Sequence, residues 1–391
     1  MDVRLQSKRD LAEEMGRQYR GASRAEKGQM LDQFVELTGY HRKYSVLLLR
    51  HRPPIRRSGR GGGHPIVYGP KALAALEVAS QAAGWICGKR LAPFMAELVP
   101  ALEQEGALAL DPEVRVALLG MSAATIDRRL RAARLREKPR GLATTKPGSL
   151  LRRQVPVRTY TPWDQEQAGF LEIDTVAHCG TSTAGSYLCT LNAVDIATQW
   201  TECEAVSGKT QRAVFGAIEQ VRSRLPFPLL GIDFDNGSEF LNEHLIRYCQ
   251  QEKITYTRCR AYHKDDQAHV EQKNWAVVRQ FVGYDRFESP AALVQLRRVY
   301  ELLRVHVNFF QPVMKLIGKE REGSKVRKIH DVARTPYRRA LASGVVSEGQ
   351  QTALEALRRA QGPLALRRQL DAELERLWRL RVGARPEEET G

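Results

Sequence analysis

Three acidic residues lie in segments whose composition and spacing suit metal-dependent chemistry. Asp174 falls inside the apolar, β-branched run LEIDTV, Asp235 follows the apolar run LLGIDF, and Glu271 lies in AHVEQKNWAVVRQF, which has helical periodicity. Phosphodiester chemistry with two metal ions needs carboxylates that bridge and flank ions about 3.5–4 Å apart, and acids on separate elements can supply them. Ligation by carboxylates alone favours the hard ions Mg²⁺ or Mn²⁺ over zinc.

Other polar residues compete with these three for a role in the site. Asp233, two residues before Asp235, has the same strand-face parity and is the main alternative for the second acid. His269 could assist a proton transfer, although a histidine with no demonstrated partner is more often structural. The remaining acids of this region are interpreted as structural or surface residues: Glu172, Asp195, Glu239, Asp265 and Asp266.

The elements that must position the three acids are predicted to be the strands and helices of an α/β domain. From Gly169 the periodicity becomes strand-like, and the runs up to about residue 282 follow the order β-β-β-α-β-α-β-α. Three strands in a row, followed by alternating helices and strands, predict a ribonuclease H-like α/β domain rather than a doubly wound dinucleotide fold. The last helix carries Glu271, and we expect Trp275, Val278 and Val282 to press its face onto the sheet.

Two helix-turn-helix patterns precede this domain. In the first, Met30, Phe34, Val35 and Leu37 form an apolar stripe, Thr38-Gly39 breaks the helix, and a cationic second helix is expected to turn three apolar residues inward, Tyr44, Leu47 and Leu48. Between the two patterns, residues 71–102 predict two further helices with Trp85 in the core.

The second pattern has the sharper signals. Pro112–Leu119 predicts a short helix, Gly120-Met121 the turn, and Ser122 an N-cap for a helix with Ala123, Ile126, Leu130 and Ala133 on its apolar face. The outward arginines of that helix are candidates for DNA contacts, namely Arg128, Arg129, Arg131 and Arg134. A solvated basic helix is the alternative interpretation.

The charge distribution favours a nucleic-acid partner. The chain has 61 Lys and Arg against 45 Asp and Glu, a formal net charge of +16, although a basic but otherwise ordinary enzyme would also fit that total. Residues 121–160 carry 11 basic and 2 acidic residues, whereas residues 161–290 carry 12 and 18, so an acidic centre directly follows the most basic stretch. This order suggests a metal site framed by DNA-binding parts.

The cysteines and the hydropathy pattern indicate a cytosolic location. The six cysteines form no C-x-x-C pair and are expected to be reduced thiols, and no apolar run has the length of a membrane span. We expect no membrane partner and a place in the bacterial cytosol, associated with the nucleoid.

The three acids and their contexts together resemble the DDE transposases and retroviral-type integrases. The match consists of I-D in the first strand, D-N-G-S-E-F after the fourth, and a helix-borne Glu271 separated from Asp235 by 35 residues, over roughly residues 169–284. The resemblance implies that Asp174, Asp235 and Glu271 hold two Mg²⁺ or Mn²⁺ ions per active site. It also implies that Asn236 and Gly237 shape the turn near the metals.

The resemblance further implies the reaction and the partners. A phosphodiester is hydrolysed at the end of a mobile DNA element, and the freed 3′-hydroxyl then attacks a strand of the target DNA. The implied partners are therefore double-stranded DNA of the element's terminal repeats and of the target. A homo-multimer assembled on the DNA is also implied. Cations near the Glu271 helix and in the basic linker are expected to touch DNA, namely Lys264, Lys273, Arg279, Arg152 and Arg153. Two alternatives stay open: a ribonuclease H-like nuclease that cuts without joining, and a helix-turn-helix regulator with an inactive core.

These patterns predict a multidomain chain. Residues 1–60 and 61–137 would form two helical, helix-turn-helix DNA-binding regions, 138–165 a basic linker, 166–288 the ribonuclease H-like core, and 289–391 a helical, basic C-terminal region. Residues 347–380 predict a charged amphipathic helix or helical pair, interpreted as solvated, with a partner or dimer contact as the alternative.

Overall fold

A computed structural model describes residues 5–50, 68–136, 167–234, 240, 243–258, 267–322 and 325–383. The chain divides into two compact units, Met1–Val67 and Tyr68–Gly391. None of the described helices is long and apolar enough to cross a membrane.

The first unit contains three helices, α1 (Leu5–Gly21), α2 (Arg24–Thr38) and α3 (Arg42–Arg50). A capping box of Ser23 and Glu26 begins α2, and Gly39, whose φ of 68° suits glycine, ends it where the sequence predicts. The small core consists of Tyr19, Leu31, Phe34 and Leu49.

The predicted inner face of α3 is wrong for two of its three residues, since only Leu48 packs against the core. Tyr44 and Leu47 are 49% and 52% exposed, whereas Ser45 and Leu49 are buried. The physical reason is α1, a helix that the sequence analysis did not predict, which packs against α3 and selects the face with Leu49. Tyr44 instead meets Tyr40 edge-on at the surface, with ring centroids 5.3 Å apart.

The second unit begins with four helices, α4 (Pro70–Ala82), α5 (Gly88–Gln104), α6 (Pro112–Leu119) and α7 (Ala123–Arg136). The Ser122 hydroxyl accepts a hydrogen bond from the Thr125 backbone N–H at 3.3 Å and so caps α7 as predicted. Three of the four residues on its predicted inner face are buried, namely Ile126, Leu130 and Ala133, and Ala123 is partly buried.

A five-stranded sheet in the order β3-β2-β1-β4-β5 follows. Its strands are β1 (Phe170–Ala177), β2 (Leu188–Asp195), β3 (Thr201–Ser207), β4 (Gly231–Phe234) and β5 (Thr255–Arg258). The first three are antiparallel neighbours, and β4 runs parallel to both β1 and β5. Helices α8 (Gln211–Arg224) and α9 (Glu243–Gln251) lie between these strands, and α10 (Ala268–Lys273) follows β5, which completes the predicted ribonuclease H-like order.

Helices cover both faces of the sheet. Buried residues of α8, such as Val214 and Ile218, join the cluster that contains Ile173 of β1. On the opposite face, α10 continues as a π-helical turn, Asn274–Arg279, and packs with α11 (Pro290–Phe309) over Val176 and Cys203. The candidate acid Asp174 lies on this second face, because side chains alternate along a strand and Asp174 shares parity with Val176.

The C-terminal region is helical, as predicted, but it is not a solvated tail. After α11 come a hairpin of β6 (Leu316–Glu322) and β7 (Lys325–His330), then α12 (Pro336–Ala342), α13 (Glu348–Ala360) and α14 (Pro363–Arg379). The leucines of α14 are buried against α11 and α4, namely Leu364, Leu366, Leu370, Leu374 and Leu377. The Glu105 carboxylate accepts the backbone N–H groups of Leu364 and Ala365 at 3.1 and 2.6 Å, which ties α14 to the end of α5.

Candidate active site

Asp174 is held by a short network of hydrogen bonds across two strands and a helix. The Asn274 side-chain amide donates to Asp174 Oδ2 at 2.5 Å, and the Thr175 backbone N–H donates to Oδ1 at 2.7 Å. Asn192, directly opposite Asp174 on β2, donates in turn to Asn274 Oδ1 at 2.8 Å. The network fixes the orientation of the carboxylate and attaches the helix to β1.

Glu271 lies one helical turn before Asn274 and is exposed. Residues three apart share a face of a helix, so the hydrogen bond from Asn274 brings the Glu271 side of α10 toward Asp174. The start of α10 is fixed independently by Glu172, which is 3% exposed and accepts the Val270 backbone N–H at 2.8 Å. Glu172 is therefore structural, as interpreted from the sequence.

The two candidates for the second acid are Asp233, in β4, and Asp235, which follows that strand in the sequence. Asp233 is 1% exposed and accepts a hydrogen bond from the Thr257 hydroxyl at 2.6 Å, so it is directed toward β5. Asp235, Asn236 and Gly237 lie outside the described residues.

Trp275 does not pack onto the sheet, contrary to the prediction from the sequence. Val278 and Val282 are fully buried, but Trp275 is 58% exposed. The reason is that Asn274 takes the inward position, and the helix widens into a π turn at this point. Trp275 therefore lies on the exposed side of the helix, one turn after Glu271.

Comparisons with known proteins find an integrase core in this part of the chain. The family model described as "Integrase core domain" matches residues 164–264. An uncharacterized protein of Sinorhizobium fredii, y4rM, is 43% identical over 331 residues, which are 83% of this chain and 93% of that protein. The chain belongs to the integrase-core family. The resemblance to DDE transposases and integrases is thus confirmed, and the function is of the transposase or integrase class.

Solved integrase cores are also similar to part of the chain. The catalytic core domain of BIV integrase is 19% identical, with a TM-score of 0.31, and the match covers 45% of this chain and 95% of that chain. The core domain of HTLV-2 integrase, solved in complex with magnesium, is 16% identical with a TM-score of 0.29, and the match covers 38% of this chain and 91% of that chain.

Two predicted DNA contacts of the integrase core face inward. Lys273 is 6% exposed, and its burial, reinforced by the nearby Arg90 and opposed by Cys203, lowers its pKa to about 7. Arg279 donates to the Ala177 carbonyl at 3.0 Å and covers the Tyr284 ring at 4.7 Å, which ties the helix to the end of β1. The structure therefore favours packing roles for both side chains.

His269 also has a structural partner in the integrase core. Its Nδ1 lies 3.0 Å from Gln199 Nε2 in the turn between β2 and β3. Burial, followed by the charges of Lys315 and Lys273, lowers its pKa to about 4, so its neutral form prevails at neutral pH. This environment agrees with the structural interpretation of the histidine.

The arginines of α7 separate into two groups. Arg128, Arg129 and Arg131 are exposed, so they can meet a ligand. Arg134 instead pairs with Asp127 at 2.7 Å and donates to the Ile86 carbonyl, so it holds α7 against the connection between α4 and α5. Arg152, Arg153 and Lys264 lie outside the described residues.

The residues of the integrase core that sequence reasoning missed are amides. Asn274 and Asn192 position Asp174, and both are neutral, so neither stands out in a search for acids or cations. A signal exists in the sequence, because Asn274 follows Glu271 by three residues and must share its helical side.

The donor set fits a divalent cation. Within the described part of the chain no group of three His, Cys, Asp or Glu side chains is placed to hold a metal ion. Asp174 nevertheless receives hydrogen bonds from a neutral amide and a backbone N–H, donors that leave its negative charge in place. Carboxylate oxygens at Asp174 and Glu271 are the ligands that Mg²⁺ and Mn²⁺ prefer.

Proposed function

We propose that this chain is a DNA transposase or integrase that cleaves at the ends of a mobile element and joins the freed ends to target DNA. The observation that carries the proposal is the hydrogen bond from Asn274 to Asp174, because it holds the Glu271 helix against β1. Two carboxylates from separate elements thereby share one side of the sheet, as two-metal phosphoryl transfer requires.

Asp174, Asp235 and Glu271 would hold Mg²⁺ or Mn²⁺, two ions per active site. The register supports Asp235 as the second acid, since β1 and β4 pair Ile173 with Phe234, the residues directly before Asp174 and Asp235 in the chain. Bound there, the ions would polarise the phosphoryl oxygen and lower the pKa of the attacking hydroxyl or water. The protein's own part is orientation: Asn274 aims the Asp174 carboxylate, and Glu172 fixes the start of the Glu271 helix.

DNA would be held mainly by cations outside this site. The exposed Arg128, Arg129 and Arg131 on α7 support a major-groove role for that helix, and we expect Arg152, Arg153 and Lys264 to contact phosphates. A mobile element has two ends, so its excision needs two active sites. We therefore propose a homo-multimer assembled on terminal repeats and target DNA.

A strand-transfer assay tests the proposal. The purified full-length chain would be incubated with the terminal repeats that flank its own gene, a target plasmid and Mn²⁺. We expect nicked repeat ends and repeat–plasmid joints, both lost on chelation of the metal. Nicking without joints would favour the nuclease, and binding without either product would favour the regulator.

A further inference from the structure

An exposed indole lies beside the candidate acids. Among the tryptophans that the structure describes, Trp200 is fully buried and Trp85 and Trp378 are partly buried, whereas Trp275 is 58% exposed. It follows Glu271 by four residues, so the ring and the carboxylate share one side of the helix.

The helix presents this ring rigidly. Asn274, directly before Trp275, is hydrogen-bonded to both Asp174 and Asn192. Shortly after Trp275 in the chain, Val277 and Val278 are 2% and 0% exposed. The backbone on both sides of the indole is thus anchored to the sheet. In the described part of the chain, no aromatic ring or cation stacks on the indole.

The surroundings of the ring indicate what it binds. Its described helical neighbours on the exposed side are Glu271, Gln272 and Gln280, all polar and exposed. A single aromatic ring in a polar surround is too small for the apolar centre of a stable protein interface, which is a contiguous patch. It matches the face of one nucleobase, and bases stack on aromatic rings with little regard to sequence.

We propose that Trp275 stacks against an unpaired nucleobase at the DNA end and so positions the strand beside Asp174 and Glu271. This inference rests on the proposed function, since it presumes that a DNA end enters this site. A base inside a duplex has both faces covered by its neighbours, so the indole selects a frayed or single-stranded end.

Binding measured in EDTA separates this inference from the chemistry. The probe is a short duplex that ends in unpaired nucleotides, with 2-aminopurine as one of them, and the comparison is the same duplex with fully paired ends. Full-length wild type should quench the 2-aminopurine fluorescence and bind the frayed probe more tightly than the paired one. Trp275→Leu should lose the quenching and bind the frayed probe about 5- to 150-fold more weakly, the range for losing one stacked base.

Two further variants control the measurement. Trp275→Phe keeps a ring and should retain part of the quenching, and Gln272→Ala, at the neighbouring exposed position, should behave as wild type. Thermal unfolding should be unchanged in all three, because neither side chain is buried.

The inference is overturned if Trp275→Leu weakens frayed and paired probes equally, or leaves the quenching intact, or changes the multimer state in light scattering without affecting the frayed probe. Failure of the proposed function would be seen in a different measurement. In that case the wild-type protein would bind the frayed probe and quench its fluorescence in EDTA, but it would not cleave its terminal repeats in Mn²⁺.

Discussion

At the residue scale, the three acids should be needed for chemistry and not for DNA affinity. Asp174→Asn, Asp235→Asn and Glu271→Gln each remove one negative ligand while keeping the size of the side chain. Because metal ions contribute several kcal/mol to the transition state, we expect cleavage and joining to fall by about a thousandfold or more. Gel-based cleavage assays and binding titrations on the same terminal-repeat DNA measure the two effects separately.

Asp233 provides the matched control for Asp235. Its carboxylate is buried and accepts a hydrogen bond from Thr257, so Asp233→Asn should lower the free energy of unfolding by about 1–3 kcal/mol while the folded fraction stays active. An inactive but fully folded Asp233→Asn, together with an active Asp235→Asn, would show that the second acid is Asp233.

Lys273 offers a second prediction, about pH. Its pKa is lowered from 10.5 to about 7, so between these values the unfolded chain binds more protons and stability rises with pH. Lys273→Met removes the cost of burying the ammonium and should stabilise the fold by about 1–4 kcal/mol at pH 7 and below. The difference from wild type should shrink as the pH approaches 10.5.

Urea unfolding at several pH values measures the effect, with terminal-repeat binding as the second readout. A surface lysine that contacts DNA would give the opposite pattern, with weaker binding and unchanged stability.

The sequence marks Asp174 and Glu271 as candidate acids more readily than it describes their surroundings. The two stand out because a carboxylate in an apolar strand or on a sheet-facing helix needs a chemical reason. The orientations of Asn274 and Trp275 were not predicted, because the choice of which one faces the sheet depends on a π turn that apolar periodicity does not encode. An average helical period places Trp275 on the inner side of the helix. The role of Asn274 could not be read from the local sequence, because its partner Asp174 lies 100 residues away in the chain.

At the element scale, local signals predicted most boundaries. The strands from β1 to β5 and the helices between them follow the predicted order, since β-branched runs and turn residues mark them. The hairpin of β6 and β7 was missed because its charged strands have no apolar alternation, although Gly323-Ser324 between them is a two-residue turn signal. The predicted inner face of α3 was wrong for two of its three residues because it depends on α1, another element.

The helix α7 carries the third prediction. Arg128→Ala, Arg129→Ala and Arg131→Ala should weaken DNA binding without loss of stability, because these side chains are exposed. If the replaced arginine contacts a base edge, the variant should change sequence preference at a single position by about 1–3 kcal/mol. If it contacts a phosphate, the variant should lower the slope of log binding constant against log salt concentration by about one.

Arg134→Ala is the internal comparison on the same helix. It breaks the ion pair with Asp127 and the bond to the Ile86 carbonyl, so it should cost about 1–3 kcal/mol of stability with little direct effect on DNA. If the three exposed variants instead lost affinity equally for all sequences with no change at any base, α7 would be a phosphate clamp rather than a sequence-specific element.

At the scale of the whole molecule, helices α4 to α7 and α11 to α14, on either side of the integrase core, belong to one compact unit with it. The second helical region was predicted as a separate domain, yet Leu98 and Leu118 belong to the same buried cluster as Ile173 of β1. Arg338 of α12 pairs with Glu97 of α5 at 2.7 Å, so residues far apart in sequence close the unit. Composition marked the charged segments between these regions but contained no information on which buried faces meet.

The last prediction follows from the place of α14. Leu370 and Leu374 are 0% and 2% exposed within the cluster that contains Val176 of β1, so Leu370→Ala or Leu374→Ala should lower the unfolding free energy by about 2–5 kcal/mol. Because one cluster joins the helix to the strand, the loss should appear in hydrogen exchange of the β1 and β2 amides and not only in α14. Glu375→Ala, at an exposed position of the same helix, should leave the exchange unchanged. Equal hydrogen exchange in the leucine and glutamate variants would show that α14 is an independent tail. In that case packing of α14 would not stabilise β1, the strand of Asp174.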